Sequence, residues 1–235
     1  MKPTLYLIPT TLGTETNPDL FPPINLQIIK SLDHFIVENI RTARRFLRPL
    51  GYDNDFNQVR FFELNKHTSR SDLESYIHPL LNGINMGILS EAGAPAIADP
   101  GADIVSLAHK ENIRIVPLIG PSSILLALMA SGLNGQNFAF NGYIPVKNPM
   151  RKKEILALEE KSRRENQSQI FMEAPYRNQK LLEDILNSCH AETLLCIATD
   201  ITMDSEFIQT KNISQWKKKI PDIQKRPTIF ILQSA

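Results

Sequence analysis

The chain has 235 residues, 26 Lys and Arg against 25 Asp and Glu, a formal net charge of +1, and 42% hydrophobic with 22% charged residues. That is the balance of a globular protein with one large or two small domains. No apolar run approaches the ~18 residues that cross a bilayer, and Cys189 and Cys196 read as reduced core residues rather than a disulfide framework. The opening MKPTLYLIPTT runs straight into a strand without a signal-peptide pattern, so a cytoplasmic location is expected.

In chain order, Thr4–Ile8 and Phe35–Glu38 read as strands, Thr42–Leu50 as a helix and Phe61–Leu64 as a short strand. Ser71-Asp72-Leu73-Glu74 has the form of a capping box. The helix it opens carries Leu73, Ile77, Leu80 and Leu81 at helical spacing, with Pro79 kinking or shortening it and Gly83 after its end. Gly87-Ile88-Leu89 is an apolar run that breaks into the bulk-free loop Ser90-Glu91-Ala92-Gly93-Ala94-Pro95. Asp99-Pro100-Gly101 then offers a carboxylate N-cap with proline at the first helical position. Ile113–Ile119 reads as a buried strand and Gly120-Pro121-Ser122-Ser123 as a second proline-bearing loop. The helix Ile124–Ala130 that follows is apolar all round and is expected inside the protein, with Gly132 ending it. Regular alternation of this kind predicts a mostly parallel sheet.

Asn141–Met150 is rich in turn residues and places a linker there, giving an N-terminal α/β domain over 1–143 and a C-terminal one over 144–235. Beyond it lie a charged helix (about Arg151–Arg164), the strand Gln169–Glu173, the helix Gln179–Ser188, and strands at Thr193–Ala198, about Glu206–Gln209 and Thr228–Leu232. Short strands in succession predict a mixed sheet.

Two small-residue loops at the carboxyl ends of apolar strands are the natural ligand site of an open α/β sheet, because backbone groups reach a ligand only where side chains are absent. Neither phosphate-cradling glycine motif follows a strand, no G-x-S-x-G elbow is present, and no H-E-x-x-H or paired C-x-x-C indicates a metal. A ligand here need not carry phosphate, which leaves room for adenosyl compounds.

The run Ser90-Glu91-Ala92-Gly93-Ala94-Pro95…Asp99-Pro100-Gly101, followed by Val116-Pro117-Leu118-Ile119-Gly120-Pro121-Ser122-Ser123, resembles the tetrapyrrole methylase superfamily, S-adenosylmethionine-dependent methyltransferases of two α/β domains with the ligand cleft between them. The nearest branch is the ribosomal RNA small-subunit methyltransferase I type, which methylates a cytidine ribose 2′-hydroxyl. Leu5–Gly13 resembles its opening strand and loop, Val37-Glu38-Asn39-Ile40-Arg41 its E-D-T-R, Gly142-Tyr143-Ile144-Pro145 its linker, and Ile170-Phe171-Met172-Glu173 an apolar strand ending in glutamate. The resemblance implies S-adenosylmethionine as cofactor, with contacts at Pro9, Ser90, Ala92, Gly93, Ala94, Ile97, Ser122, Ser123, Glu173 and Ile201. It also implies an RNA substrate and a homodimer. A corrin or porphyrin precursor methylated at carbon is the alternative acceptor, and a cofactor-binding module without turnover is the alternative of another kind. The departures are Thr11 for proline, Thr14 for asparagine, Asn39-Ile40 for Asp-Thr, Glu91 for aspartate, Ala174 for serine, and a remodelled Thr14–Pro23 stretch.

Methyl transfer to a hydroxyl asks the protein mainly to hold two reactants in line, with a general base useful but not obligatory. The sequence names no catalytic residue. Glu38 and Arg41 read either as acceptor-orienting groups or as a structural pair, and Asp99 either as a base or as a helix cap. His67 lies in a loop that overhangs the expected cleft or is plain surface. Charge is uneven, 11 Lys and Arg against 13 Asp and Glu over 1–144 and 15 against 12 over 145–235. Basic clusters at Arg151-Lys152-Lys153, Arg163-Arg164 and Lys217-Lys218-Lys219 read as an RNA track or as a solvated face.

Overall fold

The computed structural model describes residues 3–13, 15–65 and 68–234. Thr14 and His67, both singled out above, lie outside the described residues. By its contacts the chain divides into two compact units, one up to Ser122 and one from Ser123.

The first unit is built on a five-stranded sheet of β1 (Thr4–Ile8), β2 (His34–Val37), β3 (Arg60–Glu63), β4 (Met86–Leu89) and β5 (Arg114–Pro117). Its spatial order is β3-β2-β4-β1-β5 and every pairing is parallel. Successive side chains on a strand point to opposite faces, and the core obeys this: Ile8, Phe35, Val37 and Leu89 belong to one buried cluster, Leu5, Ile36, Met86 and Ile88 to the other. Burial on both faces is why β2 and β4 read as continuous apolar runs. β3 and β5, at the sheet edges, are half exposed, so the buried strand expected at Ile113–Ile119 is a half-exposed edge strand. Helices α1 (Pro23–Lys30) and α2 (Ile40–Leu47) cover the first face, contributing Ile29, Ala43, Phe46 and Leu47. The other face is covered by α3 (Arg70–Tyr76), α4 (His78–Leu81) and α5 (Gly101–Lys110).

Local detail departs from expectation in two places here and meets it in a third. The capping box opening α3 is formed by Ser69 and Asp72, not from Ser71: Ser69 Oγ accepts from the Asp72 N–H at 3.2 Å, and the Asp72 carboxylate accepts from the Ser69 N–H at 3.1 Å. Two equivalent spacings stood side by side, and aspartate serves where glutamate was expected. Pro79 does interrupt the helical pattern, which breaks after Tyr76 and restarts at His78. α1 carries no strong sequence signal and emerges from the stretch read as remodelled, where Phe21 packs edge-on to Phe46 and buried Asn25 donates to the Ile119 carbonyl at 2.6 Å.

The second unit holds β6 (Phe138–Tyr143), β7 (Ser168–Met172), β8 (Leu194–Thr199), β9 (Phe207–Asn212) and β10 (Thr228–Gln233). The order is β6-β7-β10-β8-β9, with β6 and β7 parallel and the other pairings antiparallel, so the sheet is mixed as expected. One face packs on α7 (Met150–Glu165), α8 (Asn178–Ser188) and α9 (Ile213–Lys218) through Phe171, Leu195, Ile197, Phe230, Leu182 and Trp216. The opposite face carries α6 (Ser123–Ser131), which packs on β8, β9 and β10.

The boundary expected at 143/144 therefore falls at 122/123, because α6 and β6 find their partners in the second sheet. Glycine and proline made Gly142–Pro149 resemble a linker, yet β6 runs into it. Nor is α6 enclosed. Ala127, Leu128 and Ser131 are buried, but Leu125 and Met129, one turn apart on the outer side, are 52% and 78% exposed. Both cysteines are reduced and buried, and burial pushes their thiols up. Among the described residues no helix is long and apolar enough to cross a membrane.

Candidate functional site

The connections of the first unit leave its sheet in two directions. β2 is followed by α2, which leads outward to β3, while the neighbouring β4 is followed by α5, which leads past β1 to β5. The two helices also lie on opposite faces. Such a reversal opens a crevice at the carboxyl ends of the strands, the general ligand position in open α/β sheets.

Three loops meet there. Pro9, after β1, lies against Gly120, where an added Cβ would fall 2.6 Å from the Pro9 Cβ. The Gly93 carbonyl accepts from the Thr10 N–H at 2.9 Å and from Ser90 Oγ at 2.9 Å, tying the loop after β4 to the loop after β1. Gly93 adopts φ +74°, and a Cβ on it would meet Leu12 at 3.0 Å and the Pro121 carbonyl at 3.5 Å. Only glycine combines that dihedral with that crowding. Pro9, Ser90, Gly93 and Ser122 are thus brought together, with Ala92 exposed and Ala94 half-buried on the same loop.

The next turns of that loop are strained. Ala96 and Ala98 sit at φ +67° and +60°, a region L-residues avoid, and present Ile97 between them, 50% exposed. Asp99 holds this geometry: its carboxylate accepts from the Ala96 N–H at 2.9 Å and the Gly101 N–H at 2.7 Å. Asp99 stands one residue before the N-cap of α5, which is Pro100, so the carboxylate cap with proline at the first helical position is displaced by one residue, and Asp99 braces the loop while accepting from the first helical N–H. Burial raises its pKa, against those two backbone bonds.

Glu38 follows β2 directly. Its Oε1 accepts from the Glu91 N–H at 3.0 Å; among the described residues it forms no ion pair with Arg41, which is exposed on α2, so the structural Glu–Arg pair is not made. Burial raises the Glu38 pKa, the neighbouring Asp99 and Glu91 charges add to this, and the Glu91 N–H opposes them. Asn39 caps α2 by accepting from the N–H groups of Arg41 and Thr42 at 2.9 and 3.2 Å, so asparagine does here what aspartate would do as a cap. Thr42 Oγ1 lies 2.5 Å from Glu91 Oε1. These groups line a cavity of about 60 Å³ together with Thr10, whose buried hydroxyl has no hydrogen-bond partner. Sequence reasoning missed Thr10, because nothing in a Pro-Thr-Thr turn tells a capping hydroxyl from an unpaired one.

In the second unit Glu173 follows β7, its side chain fully buried. Arg177 donates to it from Nε at 2.5 Å and Nη2 at 2.7 Å, the Ala174 N–H adds a third bond, and Arg151 lies 3.8 Å away. Burial pushes its pKa up, but the Arg177 bonds, the backbone bond and the two guanidinium charges outweigh it and hold it below the ordinary carboxylate range. Arg151 is correspondingly no part of an RNA track. It is 3% exposed, paired with Asp184 at 3.0 Å, and bonded to the Pro145 and Val146 carbonyls. Ile201 is buried between Asp200 and Thr202, both at positive φ. Ser123 is the first residue of α6 and half-buried. Among the described residues no cluster of His, Cys, Asp and Glu is arranged to hold a metal.

Comparison with known proteins decides the family. The ribosomal RNA small subunit methyltransferase I of Vibrio cholerae is 32% identical over 207 residues, 88% of this chain and 68% of that protein. The chain belongs to the ribosomal RNA small subunit methyltransferase I family. It is a methyltransferase, and hence an enzyme. No protein-family model matches it. Its fold is that of the methyltransferase CobJ (TM-score 0.62, 16% identity, 99% of this chain and 93% of that one) and of the cobalt precorrin-4 methyltransferase CbiF (TM-score 0.58, 11% identity, 98% and 94%).

Proposed function

We propose that this methyltransferase takes its methyl group from S-adenosylmethionine and transfers it to a ribose 2′-hydroxyl of small-subunit ribosomal RNA. The observation that carries the donor is the loop chemistry. Segments 9–13, 90–101 and 119–122 contain no Lys or Arg, place the exposed Ala92 and half-buried Ala94 on either side of the buried Gly93, and set Glu91 and Asp99 nearby with Glu38. That suits a phosphate-free adenosyl group with a sulfonium cation and opposes a nucleotide phosphate. When bound, S-adenosylmethionine supplies an activated methyl group.

Pro9, Ser90, Ala92, Gly93, Ala94, Ile97 and Ser122 of the first unit would hold it; Ser123, Glu173 and Ile201, the other contacts the resemblance implies, belong to the second unit, where Arg177 and the Ala174 N–H take both Glu173 carboxylate oxygens. Glu38 and Arg41, beside the same loops, would orient the acceptor. Membership in the family supports the acceptor class, and a cytoplasmic location is proposed with it. The exposed Leu125 and Met129 on α6 favour burial in a homodimer.

Titration calorimetry with S-adenosylhomocysteine tests the donor: micromolar binding is expected, lost in Gly93→Trp. Methyl transfer to unmethylated small ribosomal subunits tests the acceptor. No binding by the intact protein sinks the donor assignment, and binding without transfer sinks the acceptor. The structural kinship with CbiF keeps a corrin precursor as the second acceptor to try.

A further inference from the structure

α2 and its C-cap carry four arginines, and they share one side of the helix. Arg41, Arg44, Arg45 and Arg48 stand at i, i+3, i+4 and i+7, opposite the buried Ala43, Phe46 and Leu47. All four are exposed, and among the described residues none of them forms an ion pair. The helix itself holds no Asp or Glu. Elsewhere the protein treats arginine differently: Arg163, Arg164, Arg177 and Arg226 each meet a carboxylate. At 1.5 Å per residue the row on α2 is about 10 Å long.

Helix stability does not account for this row. Like charges at i, i+4 oppose a helix, and Arg41–Arg45 and Arg44–Arg48 are two such pairs. The macrodipole welcomes Arg44, Arg45 and Arg48 near the carboxyl end but opposes Arg41 in the first turn. Two of the guanidiniums are nevertheless held over aromatic rings. Arg44 lies 5.4 Å from the ring centres of Phe56 and Phe61. Arg48 lies 4.1 Å from that of Phe56 and donates one nitrogen to the Tyr52 carbonyl. A guanidinium held by its face keeps the donor fork at its edge available. Glu38 and Glu91 border the row at its amino end, where Arg45 lines the same small cavity. Asp55, beside Phe56, is occupied in its own turn, accepting from the Asn57 N–H.

We propose that this face of α2 is a track for the phosphate backbone of a single RNA strand, with about one phosphate for each of Arg44, Arg45 and Arg48. The proposal rests on the RNA reading above and adds the surface that grips the strand outside the crevice. A row of guanidinium forks without counter-charge is what a chain of phosphates satisfies, each contact releasing a condensed counterion. Such contacts position a strand and read neither its sequence nor its sugar. The first unit thereby separates two chemistries: loops without Lys or Arg at the strand ends, and a phosphate-gripping helix that leads away from them.

The test measures binding of a labelled mixed-sequence oligoribonucleotide to the intact protein, at saturating S-adenosylhomocysteine, between about 50 and 200 mM KCl. Each phosphate contact on a single strand contributes about −0.7 to the slope of log affinity against log salt. Arg44→Gln/Arg45→Gln/Arg48→Gln should flatten the wild-type slope by about 2, so that wild type loses about twentyfold more affinity than the variant over that range. Arg44→Gln/Arg45→Gln, which spares the Arg48 bond to Tyr52, should flatten it by about 1.4. Arg44→Lys/Arg45→Lys/Arg48→Lys keeps the charges and should keep the slope. The all-deoxy oligonucleotide should show the same changes, because the contact is to phosphate. Lys217→Gln/Lys218→Gln/Lys219→Gln removes as many exposed charges from the second unit and should leave the slope within about 0.7 of wild type. Affinity for S-adenosylhomocysteine should stay within about twofold in every variant, the sign of an intact fold. An unchanged slope in both glutamine variants of α2 overturns the proposal, and so does equal flattening by the lysine-to-glutamine variant, which would make net charge the cause. Poly-glutamate that competes as well as RNA at equal charge overturns it too and assigns the row to an acidic protein surface. A slope that flattens as expected, in a protein that methylates no small subunits, keeps the track and overturns only the ribosomal acceptor; transfer to small subunits with an unchanged slope overturns only the track.

Discussion

Two glutamates end apolar strands in this protein, one in each unit, and the fold treats them oppositely. Glu173 is wrapped by cations and donors: Arg177 on two nitrogens, the Ala174 N–H, and Arg151 behind. Glu38 has one backbone donor and two carboxylates, Asp99 and Glu91, for neighbours. The first is held ionised and is finished as a structural group. The second is kept partly unsatisfied at the point where the sheet reverses direction, and that is the usual mark of a working site. Position at a strand end therefore identifies candidates, and the partners sort them.

The largest test of this contrast is Glu173→Gln. It leaves Arg177 without its counter-charge and Arg151 with Asp184 alone, and the expected loss is about 3 kcal/mol in urea unfolding at pH 7, the scale for breaking a buried pair. Glu38→Gln in the same experiment should lose nothing, because the amide still accepts from the Glu91 N–H and a repelled charge is gone. Equal losses would break the comparison.

Gly93 against the rest of its loop comes next. Gly93→Ala forces a side chain into a left-handed dihedral and to 3.0 Å from Leu12, with an expected cost of about 2 kcal/mol. Because the Gly93 carbonyl ties Thr10 and Ser90 together, affinity for S-adenosylhomocysteine should fall by at least about tenfold. A variant that loses stability but binds normally would detach the loop junction from the donor site.

How far the sequence carried these conclusions depends on the kind of interaction. Strands β1, β2, β4 and β10 were legible because burial writes itself as apolar runs, and the 90–101 and 119–122 loops because close backbone approach demands glycine and proline. The all-parallel first sheet followed from the alternation of elements. Tertiary choices were not legible. Which sheet claims α6 and β6 depends on pairing partners tens of residues away. Arg151 looked like the start of a basic surface run until Asp184 and Glu173, 33 and 22 positions on, enclosed it. The unpaired Thr10 hydroxyl is a fact about its surroundings in space, and no spacing rule encodes it.

Strain offers a smaller test. Ala96-Ile97-Ala98 and Asp200-Ile201-Thr202 share one device, an isoleucine between two residues at positive φ, but Ile97 is exposed and Ile201 is buried. Ala98→Gly should relieve the dihedral and raise stability by about 1 kcal/mol in thermal unfolding. If the loop is strained for the sake of presenting Ile97, the same change should weaken S-adenosylhomocysteine binding while it stabilises the protein. Gains in both would make the strain incidental.

The smallest effect lies in pH dependence, and it returns to the two glutamates. Glu173 has a depressed pKa, so its contribution to stability is present above the ordinary carboxylate value and disappears as pH falls through the folded one. Glu38 has a raised pKa. Between its unfolded and folded values the native state binds more protons than the unfolded chain, so stability falls as pH rises through that window. Glu38→Gln abolishes this term. The variant should match wild type at pH below the carboxylate range and become the more stable of the two above it, the difference opening as Glu38 ionises. Urea midpoints taken from pH 4 to pH 8 would read it directly. A difference that opens in the opposite direction would mean that the ionised Glu38 is welcomed where it sits, and would move it into the same class as Glu173.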